Sequence, residues 1–86
     1  MHYFMIQFPQ RPGALKEFVN NILGPDDDIT YFQFAKKNSR EVGSVVVGLE
    51  LKNKNDIMAI KLNMTQNGFE FQYLNDNQDL FTQLIG

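Results

Sequence analysis

With 86 residues, 43% of them hydrophobic and 21% charged, the chain has room for one domain, near the size at which a core stands alone but gains from a partner, so a homo-oligomer is expected. The absence of cysteine and a single histidine, His2, exclude disulfide, thiol and cysteine–zinc chemistry and argue against a transition-metal site; a net charge of −2 with eight Lys and Arg argues against nucleic acid. No run of about 18 apolar residues is present to cross a membrane, and Met1-His2-Tyr3 leads into a strand pattern rather than a signal core, so the chain reads as soluble and cytoplasmic.

Phe4, Ile6 and Phe8 alternate with Tyr3, Met5 and Gln7, which predicts a first strand. It runs through Pro9-Gln10 into Arg11-Pro12-Gly13 and then into Ala14, Leu15, Phe18, Val19, Ile22 and Leu23, which recur at helical spacing. The junction has two readings. Gly13 lets backbone approach a ligand, Pro12 sets φ, and the N–H groups of Gly13, Ala14 and Leu15 carry the positive end of the helix dipole, a seat for an amino-acid carboxylate. The same residues also make a tight strand-to-helix turn. Arg11 is likewise open: it steers the carboxylate, or it pairs with an acidic residue across a subunit contact.

Gly24-Pro25 predicts a helix end near Leu23, with Gly24 suited to a left-handed cap. Asp26-Asp27-Asp28 lacks the alternation, the central Gly and the distal Glu of a calcium loop and reads as a solvated turn, so no metal is assigned. Ile29–Lys37 and Ser44–Leu51 predict a hairpin across the loop Asn38–Gly43. Asn55 is placed to cap a second helix with the apolar stripe Ile57, Ile60, Leu62 and Met64, closed by Asn67-Gly68. Phe69, Phe71 and Tyr73 make a last strand, and Leu80–Ile85 form an apolar tail that must pack on something.

The order β-α-β-β-α-β predicts an α+β, ferredoxin-like domain: a four-stranded antiparallel sheet with two helices on one face. Phe4, Ile6, Phe8, Val45, Val47, Leu49 and Leu51 suit the covered face. Tyr3, Met5, Val46 and one aromatic row, Tyr31 or Phe32/Phe34, leave the other face partly apolar, which calls for a second domain, a twin subunit or the tail to cover it. Gly48, mid-strand, offers a flat spot for close approach or sheet packing.

The stretches Phe8–Leu15, Phe18-Val19-Asn20, Leu23-Gly24, Asp28–Phe32 and Gly43–Gly48 resemble, over nearly the whole chain, the C-terminal ACT-like regulatory domain of biosynthetic threonine dehydratase. Arg-Pro-Gly-Ala-Leu is shared by many ACT domains; the preceding Phe-Pro and the following Leu-Gly-Pro and Ile-Thr-x-Phe point to this branch. The resemblance implies a single regulatory domain, residues 1–86, excised from a larger enzyme whose separate pyridoxal phosphate domain deaminates threonine to 2-oxobutanoate for isoleucine synthesis. The chain alone is then without catalytic residues or cofactor. It implies isoleucine as inhibitor and valine as its antagonist, acting within a homo-oligomer. The effector site implied is Gln10, Arg11, Pro12, Gly13, Ala14 and Leu15 for the polar end, with Phe32 or Phe34 against the branched side chain. Many amino-acid-binding ACT domains carry an acidic residue where this chain has Gln10, which accepts a hydrogen bond but cannot neutralise an ammonium; Asp28 or a carbonyl of the adjoining domain is the expected substitute.

Three rivals share the fold. An acylphosphatase-like hydrolase needs a multi-glycine phosphate loop, from which Pro9 and Pro12 remove donors. A ferredoxin-like RNA binder needs a Lys/Arg-Gly-Phe motif that Ser44–Gly48 lacks. A free-standing amino-acid-sensing or dimerisation module differs only in having no tethered enzyme.

Overall fold

The computed structural model describes residues 1–9, 12–36, 42–53 and 55–85. Its elements run β1 (His2–Pro9), α1 (Ala14–Asn21), β2 (Asp28–Lys36), β3 (Val42–Glu50), α2 (Asp56–Gln66), β4 (Glu70–Tyr73), a 3-10 turn (Leu74–Asp76) and α3 (Gln78–Leu84). The sheet order is β2-β3-β1-β4, with each neighbouring pair antiparallel. This is the expected ferredoxin-like plan with one helix added at its end.

Period-2 alternation decides which side chains meet. Phe4, Ile6 and Phe8 from β1 and Val45, Val47 and Leu49 from β3 point to one face, where Phe18 and Ile22 from the α1 segment and Ile60 and Met64 from α2 close over them with Phe69. Burying side chains of this size contributes about 1.5–3 kcal/mol each, so this layer holds the domain together. Leu51 and Ile57 pack at its margin.

The helices bury narrower stripes than the spacing suggests. On α1, Ala14, Phe18 and Ile22 face inward at i, i+4 and i+8, whereas Leu15 and Val19, one residue on and so about 100° further round the helix, are exposed. On α2 the inward set is Ile57, Ile60 and Met64, and Leu62, two residues beyond Ile60, is 56% exposed. Asn55 occupies the N-cap position of α2, but its backbone is helical and its side chain makes no cap bond. The end of α1 also differs from expectation. Ile22 is the right-handed C-cap, and Gly24 has no positive φ. Gly24 instead donates its N–H to the Asp27 carboxylate at 2.8 Å, so the acidic turn is closed by its own middle aspartate.

β3 begins at Val42, two residues before the expected start, because β1 stays extended to its end and pairs Phe8 with Gly43 and Pro9 with Val42. Lys37, the expected end of the second strand, and residues 38–41 of the expected loop lie outside the described residues.

The second face carries Tyr3, Val46 and Tyr31, and the apolar tail covers it as α3. Phe81 meets the Tyr3 ring edge-on at 5.3 Å, and Tyr3 meets Tyr31 at 6.0 Å. Gly48 supports this arrangement by having no side chain. A Cβ there would lie 2.8 Å from Tyr3 Cε1 and 2.9 Å from Tyr31 Cβ, so the Tyr3 ring lies where a side chain would stand.

Candidate functional site

The junction of β1 and α1 is built from three local facts. Gly13 sits at φ +83°, the left-handed region that favours glycine, which turns the chain abruptly from the strand into the helix. Its carbonyl accepts the first helical bond, from Glu17 N–H at 2.8 Å. As a glycine, the N-cap residue offers no side chain to the helix start, so among the described residues the leading N–H groups, with the positive end of the dipole, face another acceptor. Ala14 and Phe18 hold the helix down from beneath by burial.

Beside this turn lies a groove of ≈ 510 Å³, within the range of small-molecule sites. Phe8, Pro9, Gly13, Ala14, Leu15, Phe32, Phe34, Gly43 and Val45 line it, all of them apolar or glycine. An aromatic group forms its floor: Phe8 stacks on Phe32 at 6.2 Å and meets Phe18 edge-on at 5.4 Å, and Phe32 meets Phe34 edge-on at 6.4 Å. Phe32 and Phe34 stay 41% and 66% exposed because β2 is an edge strand beyond the reach of the helices. A Cβ on Gly43 would stand in ordinary contact, 3.7 Å, with the Phe34 ring, and glycine leaves that space free.

Of the nine residues expected to form an effector site, Gly13, Ala14, Leu15, Phe32 and Phe34 line this one groove. Pro12 is exposed in the turn before it. Gln10 and Arg11 lie outside the described residues. Asp28 is not among the lining residues. It is exposed and pairs with Glu50 at the far end of β2, since the edge strand carries the chain away from the acidic turn before reaching Phe32. Phe8, Pro9, Gly43 and Val45 line the groove without having been assigned to the site; for Gly43 the only signal is its cross-strand pairing with Phe8, large beside small, which depends on register.

Residues 1–84 match the family model described as the C-terminal regulatory domain of threonine dehydratase. The chain belongs to that family. Curated members with similar sequences include the biosynthetic L-threonine dehydratases IlvA of Halalkalibacterium halodurans, 51% identical over 84 residues, Staphylococcus saprophyticus, 48%, and Staphylococcus aureus, 46%. In each case 98% of this chain is covered but only 20% of the relative, so the regulatory domain spans about a fifth of the length of the curated enzymes it matches.

Pyridoxal phosphate, the cofactor the resemblance implies for the larger enzyme, needs a lysine for its imine and a cup for its phosphate. The groove of this regulatory domain presents no lysine among its described lining residues, and its walls are phenylalanine and aliphatic carbon. The residues present do not fit that group. No helix of the described residues is long and apolar enough to cross a membrane.

A second polar cluster lies where β1 begins. His2 Nδ1 and the Tyr73 hydroxyl share a 2.6 Å hydrogen bond with their rings stacked, and Lys61 Nζ sits 4.1 Å from the Tyr73 ring centre. Burial first, then the charges of the N-terminus and Lys61, push the His2 pKa down. Burial first, then Asp76, push Tyr73 up. Both shifts favour the neutral forms.

Proposed function

We propose that this chain is the effector-sensing part of a threonine dehydratase, binding isoleucine as inhibitor and valine as its antagonist to control the deamination of threonine to 2-oxobutanoate. The observation that carries this reading is an apolar groove opening on the uncapped start of α1, in a chain of the regulatory family. The effector carboxylate meets the N–H groups of Gly13, Ala14 and Leu15, which supply directed donors and dipole together. Its branched side chain lies on Phe32, Phe34 and Leu15, with Gln10, Arg11 and Pro12 at the rim. The ammonium takes a carbonyl from the adjoining domain, with Asp28 left at the far end of its strand.

This lining also separates effector from substrate. Threonine carries a hydroxyl that finds no polar side chain among the described lining residues, and an unpaired hydroxyl in such a setting costs about 1–3 kcal/mol. Isoleucine exceeds valine by one methylene, worth about 1–3 kcal/mol in an apolar pocket. Inhibition then requires only that isoleucine favour one arrangement of the homo-oligomer. A coupling of about 1–3 kcal/mol changes threonine affinity some 5- to 150-fold without contact between the sites. The deamination chemistry is supplied by pyridoxal phosphate in the catalytic domain of the same cytoplasmic protein, and this chain contributes no catalytic residue.

The test is calorimetry and deamination kinetics on the intact protein, titrated with isoleucine, valine and threonine, with acetyl phosphate and oligo-RNA as controls. Isoleucine is expected to bind and inhibit, valine to compete with it, and the controls to give no heat. Phe32→Ala is expected to raise the isoleucine midpoint about ten-fold, the loss of one apolar contact face, and Asp28→Asn to leave it in place. An unchanged midpoint in Phe32→Ala, or the absence of isoleucine binding, contradicts the reading.

A further inference from the structure

We propose that α3 is a displaceable cover whose docking on the sheet reports whether the groove is filled, with Phe34 as the wall that both share. The inference rests on the groove being the effector seat proposed above.

α3 is ordered locally but lightly attached. Asn77 caps it by accepting Leu80 N–H at 3.0 Å, yet none of its residues is buried. Its hold on the sheet is the edge of Phe81 against Tyr3 and, under the last turn, a cavity of ≈ 140 Å³. That cavity is lined by Tyr31, Gln33, Phe34 and Val46 of the sheet and by Gln83 and Leu84 of α3. An element with little buried apolar contact opens at a small fraction of the global stability.

Phe34 is the one residue that lines both this cavity and the effector groove. Its ring lies on the groove side with Phe32 and over Gly43, and the residue also borders the cavity on the opposite face because β2 is the sheet edge and its pairing with β3 shifts immediately after Phe34. The ring is two-thirds exposed, touches Phe32 edge-on and passes over Gly43, so nothing described fixes it from the groove side. An apolar side chain seated in the groove packs against that ring and immobilises it. The edge of β2 at Phe34, which also borders the cavity beneath α3, is then steadied, and α3 docks more firmly. Coupling of this kind is reciprocal: firmer docking of α3 raises effector affinity by the same factor.

The experiment is hydrogen-exchange mass spectrometry on the intact protein with and without saturating L-isoleucine, following the peptide spanning 78–85, with calorimetry on the same sample. Exchange of this peptide, which includes the Phe81 and Ile85 amides bonded to Asn77 and Phe81 carbonyls, is expected to slow about five-fold or more. Phe81→Ala, which does not touch the groove, is expected to weaken isoleucine binding by the same factor. Isoleucine binding with unchanged or faster exchange overturns the coupling and leaves the effector reading intact. Absence of isoleucine binding in the unaltered protein overturns the effector reading and the coupling with it. Should Phe81→Ala fail to fold, the exchange measurement on the unaltered protein decides alone.

Discussion

α1 and α3 begin in opposite ways. α1 starts at a left-handed glycine that brings no capping side chain of its own, and it is held by Ala14, Phe18 and Ile22 sunk into the core. α3 starts at a capping asparagine and sinks nothing. The contrast teaches where a ligand site can be built. A helix anchored from beneath can leave its first donors unspent on its own cap residue, whereas a helix that buries no residue fully is the more easily displaced.

Removing the anchor is the strongest way to break this contrast. Phe18→Ala is expected to lower the unfolding free energy by about 3–5 kcal/mol, read from urea denaturation, because Phe18 is fully buried and meets both Phe8 and Phe69 edge-on. A loss below about 1 kcal/mol would mean that α1 is held some other way. Next comes the turn itself. Among the described residues, chain neighbours aside, nothing lies within 4 Å of where a Cβ on Gly13 would stand, so Gly13→Ala is expected to destabilise by about 1–2 kcal/mol through backbone strain and to weaken isoleucine binding beyond what that loss explains. Asn77→Ala is expected to remove about 1 kcal/mol, with faster exchange confined to 78–85 and the α1 amides unaffected.

The smallest effect concerns His2, whose native pKa is held below its ordinary value of 6.5. Near that pH the folded protein binds fewer protons at this site than the unfolded chain, so the contribution is complete above 6.5 and is lost as pH falls through the lower native value. The melting temperature is expected to slip slightly just below pH 6.5, and His2→Gln to remove that part of the fall.

Much of the fold is legible in linear order because period-2 alternation is unbroken where it matters. Positions 4, 6 and 8 and positions 45, 47 and 49 declare the same face from two strands. The surplus of apolar residues on the other face, Tyr3, Val46 and Tyr31, is legible too, and with it the need for a cover, which the terminal segment supplies as α3. The helix stripes are less legible. Leu62 and Val19 are apolar at helical spacing yet exposed, since short helices on a four-stranded sheet bury one narrow row each.

The candidate site divides along the same line. Gly13, Ala14 and Leu15 are adjacent in sequence and stay together in space, as local chemistry requires. Asp28 is separated from Phe34 by six residues of extended chain, about 20 Å at the usual strand rise, so nearness in sequence to the groove residues does not bring it to the groove. Gly43 joins the site only through its register opposite Phe8, which no linear pattern displays.

The central claim is that a branched amino acid seats its carboxylate on the leading amides of α1. The most direct measurement is an amide-resolved NMR titration of the protein with L-isoleucine. The expected result is saturable shifts centred on Gly13, Ala14 and Leu15, with Phe32 and Phe34 following and Asp28 still. Saturable binding whose shifts centre elsewhere, with those three amides unmoved, would contradict it.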